Sequence, residues 1–152
     1  MHLENGIRIR SLTEPTKKMS KSAENEKSKI LLCDDPKQAA KKIMSATTDS
    51  EGVIRFDMIN QPGISNLLTI EALLTNRDIQ DVIADWAGQT SYGDLKRKVA
   101  DSVMYFLSDF QERLNQISDA DVEAVLQKGE AYANEVANKK LRQVQKAVGL
   151  YK

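Results

Sequence analysis

From residue 64 onward the apolar residues return every three or four positions, the spacing that lines them along one face of a helix. Ile64, Leu67, Leu68, Ala72 and Leu74 predict a helix over 64–74. Ile79, Val82, Ile83 and Trp86 predict a second, opening at Asp78 and stopping at Gly88, with Trp86 completing the stripe as a core or partly buried anchor. A long helix from about Asp94 carries Leu95, Val99, Val103, Phe106, Phe110, Leu114 and Ile117 on one face. Ser118-Asp119-Ala120-Asp121 breaks it and caps a last helix, in which Val122, Val125, Leu126, Ala133, Val136, Leu141, Val144 and Val148 continue the repeat. Gly129, Ala133 and Ala137 leave room for a neighbouring helix, and Gly149 is placed to end this one.

The first part of the chain reads differently. Ile7 and Ile9 alternate with Arg8 and Arg10 in the period of a strand. Residues 11–29 hold only two large apolar residues, Leu12 and Met19, among many Ser, Thr, Lys and Glu, which predicts a mobile loop outside the core. Ile30–Cys33 reads as a short strand or extended segment. Asp35-Pro36 starts a helix, Asp as N-cap and Pro at the first helical position, with Ala39, Ala40, Ile43 and Met44 on one face and an end near Ala46. Thr47 to Gly63 reads as a long connection pinned by Val53, Ile54, Phe56, Met58 and Ile59. The expected fold is mainly α, a helical bundle preceded by an extended loop segment.

Composition narrows the function. At 152 residues, 41% hydrophobic and 29% charged, the chain is a soluble globular domain or less, with no run of ~20 apolar residues to cross a bilayer and no apolar signal segment. That makes the cytoplasm the expected location. Cys33, the lone cysteine, excludes an internal disulfide and a cysteine-based zinc site; among apolar neighbours it is expected in the core. The lone histidine, His2, removes the usual Ser/His/Asp nucleophile sets, and neither a GxGxxG nor a GxxxxGK phosphate cradle is present. Asp34-Asp35 and Asp119 with Asp121 read as helix caps, and Asp49 and Glu51 as turn caps. Net charge is zero, yet residues 1–48 are rich in Lys and Arg, 49–138 are acidic, and 139–152 carry Lys139, Lys140, Arg142, Lys146 and Lys152 with no acidic side chain. Both ends suit phosphate; the middle repels it.

The chemistry concentrates in Lys17-Lys18-Met19-Ser20-Lys21-Ser22, three ammonium groups and two hydroxyls just after the turn-forming Glu14-Pro15-Thr16. Burying an unpaired ammonium is costly, so this stretch faces water or an anion. Lys18 to Ser22 spells KMSKS, the signature loop of class I aminoacyl-tRNA synthetases. Together with Gly6-Ile7-Arg8-Ile9, Leu12-Thr13-Glu14-Pro15-Thr16, Thr48-Asp49-Ser50-Glu51-Gly52, Pro62-Gly63-Ile64-Ser65-Asn66-Leu67-Leu68, Gln111-Glu112-Arg113 and Lys146-Ala147-Val148-Gly149-Leu150, it resembles the bacterial tryptophanyl-tRNA synthetases, nearly end to end but against roughly the C-terminal half of such an enzyme.

The resemblance implies a division into residues 1–33, the edge of a nucleotide-binding domain with the KMSKS loop, and residues 34–152, an α-helical anticodon-binding domain. It implies that Lys18 and Lys21 are catalytic, holding ATP phosphates. Ser20, Ser22 or the loop backbone would add hydrogen bonds, with Met19 and Ile9 near the adenine; Ile9 reads equally as a strand residue packing inward. Mg2+ would accompany ATP, and no protein metal site is expected. The partners implied are ATP and tRNA(Trp), with tryptophan bound by the full-length enzyme only, itself a homodimer. The family's two-histidine HIGH motif and tryptophan pocket have no counterpart in these residues, so the chain alone is expected to be inactive. Aromatic content is 5%, leaving Tyr92, Tyr132 and Tyr151 as candidate stacking platforms for anticodon bases. Lys139, Lys140, Arg142 and Lys146 suit RNA phosphate or, equally, the negative end of a helix dipole. The alternative is a non-catalytic helical RNA-binding or interaction module derived from a synthetase.

Overall fold

A computed structural model describes residues 8–150. Among them lie five α-helices: α1 Pro36–Met44, α2 Pro62–Thr75, α3 Ile79–Trp86, α4 Tyr92–Asn115 and α5 Asp119–Ala147. A 3-10 turn, Glu26–Ser28, precedes them. The described residues form no strand, so the mainly helical expectation holds, and none of their helices is long and apolar enough to cross a membrane. The backbone divides into two units, one reaching to Gln111 and the other starting at Glu112.

The first unit is built around α2. Its sequence is apolar on nearly every side, and every residue from Gly63 to Ala72 is buried, as befits a central helix. Ile64, Leu67 and Leu68 are at most 1% exposed, each contributing about 1.5–3 kcal/mol of burial. The surrounding helices are amphipathic and bury one stripe each. Ala39 and Ile43 come from α1, Val82 from α3, and Leu95, Val99, Ala100, Val103 and Leu107 from α4. Trp86 packs against this core at partial burial, as its stripe predicts.

Most helix ends follow the sequence signals. The Asp35 carboxylate accepts the Gln38 amide with Pro36 at the first turn, and Ser118 and Asp121 form a reciprocal capping box. Gly149, at φ 78°, closes α5: its amide donates to the Lys146 carbonyl and that of Leu150 to Gln145, a Schellman arrangement that needs a left-handed residue at that point. Two boundaries move. Pro62 and Gly63, expected in the connection, form the first turn of α2, and α4 starts at Tyr92 rather than near Asp94.

Polar residues on and before α2 hold the strandless segments. Gln61, fully buried, sets the two N–H donors of Nε2 among Asp49 Oδ1, the Val53 carbonyl and the Tyr92 hydroxyl, all within 3.0 Å, and accepts the Arg55 amide. Ser65 Oγ accepts the Asp57 amide at 2.8 Å. Asn66 grips Arg10 twice: its Oδ1 accepts the Arg10 amide at 2.8 Å and its Nδ2 donates to the Arg10 carbonyl at 2.9 Å. Asp49 therefore does more than cap its turn, although its Oδ1 does accept the Glu51 amide. Burial pushes its pKa up, but hydrogen bonds from Tyr92, the Glu51 amide and Gln61 outweigh that and hold it below the usual value. Burial and the Asp49 carboxylate raise that of Tyr92. Tyr92 is thus held at partial burial against the core.

Several expectations are corrected. Arg8, Ile9 and Arg10 form no strand; one isolated antiparallel bridge, Arg10 to Lys18, replaces it, and Ile7 lies outside the described residues. Residues 11–29 are not excluded from the core. Leu12 is 2% exposed, its amide donating to the Ser28 carbonyl and its carbonyl accepting the Thr47 amide. Ile30–Cys33 runs into a turn in which Asp34 bonds back to Leu31 through both backbone and carboxylate, and this tips Cys33 out to solvent instead of into the core. Asp34 caps no helix. It pairs with Lys42 at 2.6 Å, mostly buried. Phe56 and Ile59 are exposed, leaving Ile54 as the buried anchor of its connection. The seam of α4 fades at Leu114, about half exposed, and α5 buries none of its residues.

Two substitutions test the role of α2. A methyl group on Gly63 would collide with the Thr47 carbonyl oxygen, backbone that is itself tied to Leu12. Gly63→Ala should therefore cost about 1–3 kcal/mol in urea unfolding despite the better helix propensity of alanine; an unchanged midpoint would refute the close approach. Asn66→Ala strands the Arg10 amide and carbonyl and should cost about 1–3 kcal/mol. It should also speed tryptic cleavage after Lys17 and Lys18, whereas cleavage at the wild-type rate would show that the grip is dispensable.

Candidate functional site

The charged loop is a small hairpin with anchored feet. Glu14-Pro15-Thr16-Lys17 closes a β-turn, Pro15 presetting the second position, with the Lys17 amide donating to the Glu14 carbonyl at 2.8 Å. The Ser11 hydroxyl accepts the Thr13 and Glu14 amides, and the Arg10 guanidinium donates to the Pro15 carbonyl. Below the turn the two arms pair antiparallel: the Ser11 amide donates to Lys17, and the Met19 amide to Ile9 at 3.0 Å.

Alternation along the paired arms separates the side chains. Ile9 and Met19 lie opposite one another and pack against the core, whereas Lys18, one residue before Met19, points to the other face. Ile9 thus meets the inward-packing reading and also stands beside Met19, as the resemblance requires. These two residues line a cleft of about 670 Å3 with Lys21, Lys29 and the segment Ile30 to Cys33. Lys18 and Ser20 line a separate recess of about 400 Å3 with Ser11, Glu14, Lys17 and Ser28. Ser22 is exposed at the tip, its hydroxyl 3.2 Å from that of Ser20. The structure therefore brings Ile9, Met19 and Lys21 together and sets Lys18 and Ser20 apart from them.

Within residues 17–22, electrostatics leave Lys18 and Lys21 unpaired. Lys17 is neutralised by Glu14, and Lys29 is paired with Glu26. Lys18 and Lys21 are exposed, and among the described residues neither ammonium has a carboxylate at ion-pair distance. Two unpaired cations with neighbouring hydroxyls on a fixed backbone suit a multiply charged oxyanion such as a phosphate chain. The described residues form no group of three His, Cys, Asp or Glu side chains for a metal.

Away from the loop, Lys139, Lys140, Arg142 and Lys146 lie exposed near the end of α5 and open to phosphate, and Lys146, in the last turn, complements the helix dipole. Tyr132 is 70% exposed on the same helix, while Tyr151 and His2 lie outside the described residues. Sequence reasoning passed over Lys29, Asn66 and Gln111. Lys29 was hidden in a lysine-rich run. Asn66 and Gln111 stood inside strings noted only for their likeness, and Gln111 in fact holds the Leu32 and Asp34 carbonyls.

A model of the class I tRNA synthetases (W and Y) matches residues 3–108. The tryptophan–tRNA ligase of Bacillus anthracis is 47% identical over 146 residues, and that of Bacillus subtilis (strain 168) 44% identical, each alignment covering 95% of this chain and 44% of the relative. The solved tryptophanyl-tRNA synthetase from Mycoplasma pneumoniae superposes with a TM-score of 0.78 at 36% identity, over 94% of this chain and 44% of that one. The chain thus spans less than half the length of the relatives it matches. With the loop string, the helical architecture and these matches in agreement, the chain belongs to the class I tRNA synthetases (W and Y), among the bacterial tryptophanyl-tRNA synthetases.

Proposed function

We propose that this chain contributes an ATP-phosphate-binding loop and a tRNA-facing helical region to the ATP-dependent attachment of tryptophan to tRNA(Trp). The observation that carries the reading is the hairpin itself: Lys18 and Lys21 stand unpaired in solvent on a backbone whose feet are bonded to the core. Activation of an amino acid attacks the α-phosphate of ATP and expels pyrophosphate, so negative charge grows on the leaving group. Cations held against those oxygens stabilise the transition state more than the ground state, which raises turnover. Lys21 meets the phosphates from the cleft it shares with Ile9 and Met19, whose apolar surfaces receive the adenine. Lys18 reaches them from the other face of the arm on its flexible four-carbon stem. Ser20 and Ser22 add hydroxyl donors. Mg2+ would enter on the nucleotide and screen its phosphate charge, since the described residues offer it no ligand cluster; the cationic loop fits the phosphates.

In this reading residues 1–33 form the edge of the nucleotide-binding domain and residues 34–152 the anticodon-side domain. The basic end of α5 supplies phosphate contacts that position tRNA without reading its sequence. Tryptophan itself is bound elsewhere in the complete enzyme, so the chain alone is inactive.

The loop assignment is tested in an enzyme completed to the length of its relatives. Lys18→Ala or Lys21→Ala should lower turnover by about one to several powers of ten with tryptophan affinity little changed, while the 152-residue chain alone gives no tryptophan-dependent ATP–pyrophosphate exchange. A defect mainly in tryptophan affinity would overturn the loop assignment, and exchange by the chain alone would overturn its expected inactivity. The tRNA role is tested by fluorescence anisotropy with tRNA(Trp) and an anticodon-changed version at two salt concentrations. Salt-weakened binding to both is expected from phosphate contacts, and absence of binding would remove the tRNA role from this chain.

A further inference from the structure

We propose that Lys29 is a positioning residue for the phosphate-facing loop, fixing Lys21 through the backbone carbonyls on either side of the loop tip. The proposal rests on the ATP-loop reading above and deepens it. Lys29 is 5% exposed, an unusual state for a lysine, and its burial is explained by three acceptors. Its Nζ donates to the Lys21 carbonyl at 2.9 Å and to the Ala23 carbonyl at 2.7 Å, and pairs with Glu26 Oε1 at 2.8 Å. An ammonium has three N–H donors, and all three are used. Lys29 therefore has no donor left for a ligand, although it lines the cleft of Ile9, Met19 and Lys21. It acts through Lys21.

The mechanical effect follows from where the carbonyls sit. Ser20 to Ala23 forms a turn held by one backbone bond, Ala23 amide to Ser20 carbonyl at 3.2 Å, and its lysine carries no ion pair. Without Lys29 the Lys21 and Ala23 carbonyls, drawn inward, would turn to water, and the direction in which Lys21 leaves the backbone would be set by that single long bond. With Lys29 in place the turn is tied from beneath, to a residue bonded in turn to the 3-10 segment through Glu26. Less freedom is then lost when an anion is gripped, which is how preorganisation adds affinity.

The test uses the full 152-residue chain and its Lys29→Met and Lys29→Arg variants, read by site-resolved amide exchange and by calorimetric titration with inorganic pyrophosphate. Lys29→Met should raise exchange of the Ala23 amide by about tenfold or more while amides within α2 keep their protection, and Lys29→Arg should recover much of the difference. Wild type should bind pyrophosphate, and Lys29→Met should bind it about tenfold more weakly. Unchanged exchange at Ala23 would overturn the tether. Equal pyrophosphate binding by wild type and Lys29→Met would overturn the positioning role while leaving the phosphate reading intact. Absence of binding by the wild type would overturn the phosphate reading itself, and the positioning role with it, leaving Lys29 a structural tether only.

Discussion

The structure depends on one constraint: long strandless segments must run against an apolar core without leaving buried backbone amides and carbonyls unpaired. A sheet would satisfy them by pairing, and among the described residues no sheet forms. The work falls instead to a few buried polar side chains on and before the central helix. Gln61 ties the 47–61 connection to α4, Ser65 takes an amide of the same connection, and Asn66 substitutes for a neighbouring strand by bonding both backbone groups of Arg10. The remainder of α2 is apolar enough to occupy the centre, so these side chains are held rigidly where the segments arrive.

That arrangement gives the loop its character. Asn66 fixes Arg10, Arg10 pairs with Lys18, and the Ile9 and Met19 side chains sink into the core from the same short ladder. The foot of the hairpin is therefore built from packing and directional hydrogen bonds, whereas its tip carries only solvated charge. A catalytic cation benefits from both properties. Its backbone must be placed accurately to meet developing charge, and its ammonium must be free of a competing carboxylate. Of the nearby acids, Glu14 and Glu26 are occupied by Lys17 and Lys29, two lysines outside the signature positions, and Glu24, which lines the recess of Lys18, stands beyond ion-pair distance of it.

Much of the helical half was legible in the residues because it is local. Periodicity gave α2 to α5, and Asp35-Pro36, Ser118 with Asp121, and Gly149 marked their ends through chemistry confined to a few neighbouring positions. The errors fall where distant residues decide. Leu12, read as a loop residue from its polar neighbours, is core because Ser28 and Thr47 close over it. Cys33, read as core from its apolar neighbours, is exposed because Asp34 folds the chain back on Leu31 and Gln111 clasps the turn from α4. In each case the immediate sequence carried the wrong sign and a contact far along the chain overruled it.

The candidate site divides along the same line. The sequence by itself determined which chemistry is available: a six-residue cluster of ammonium and hydroxyl groups that water or an anion must accompany, in a string whose likeness names its family. It could not determine which of those cations remains unpaired, that Ile9 and Met19 share a cleft with Lys21 while Lys18 looks the other way, or that a buried lysine eight residues further on holds the tip. Those are decided by tertiary structure alone, because hydrogen bonds and ion pairs join groups by distance in space, and no periodicity in the chain encodes which side chain will lie within three ångströms of a given carbonyl.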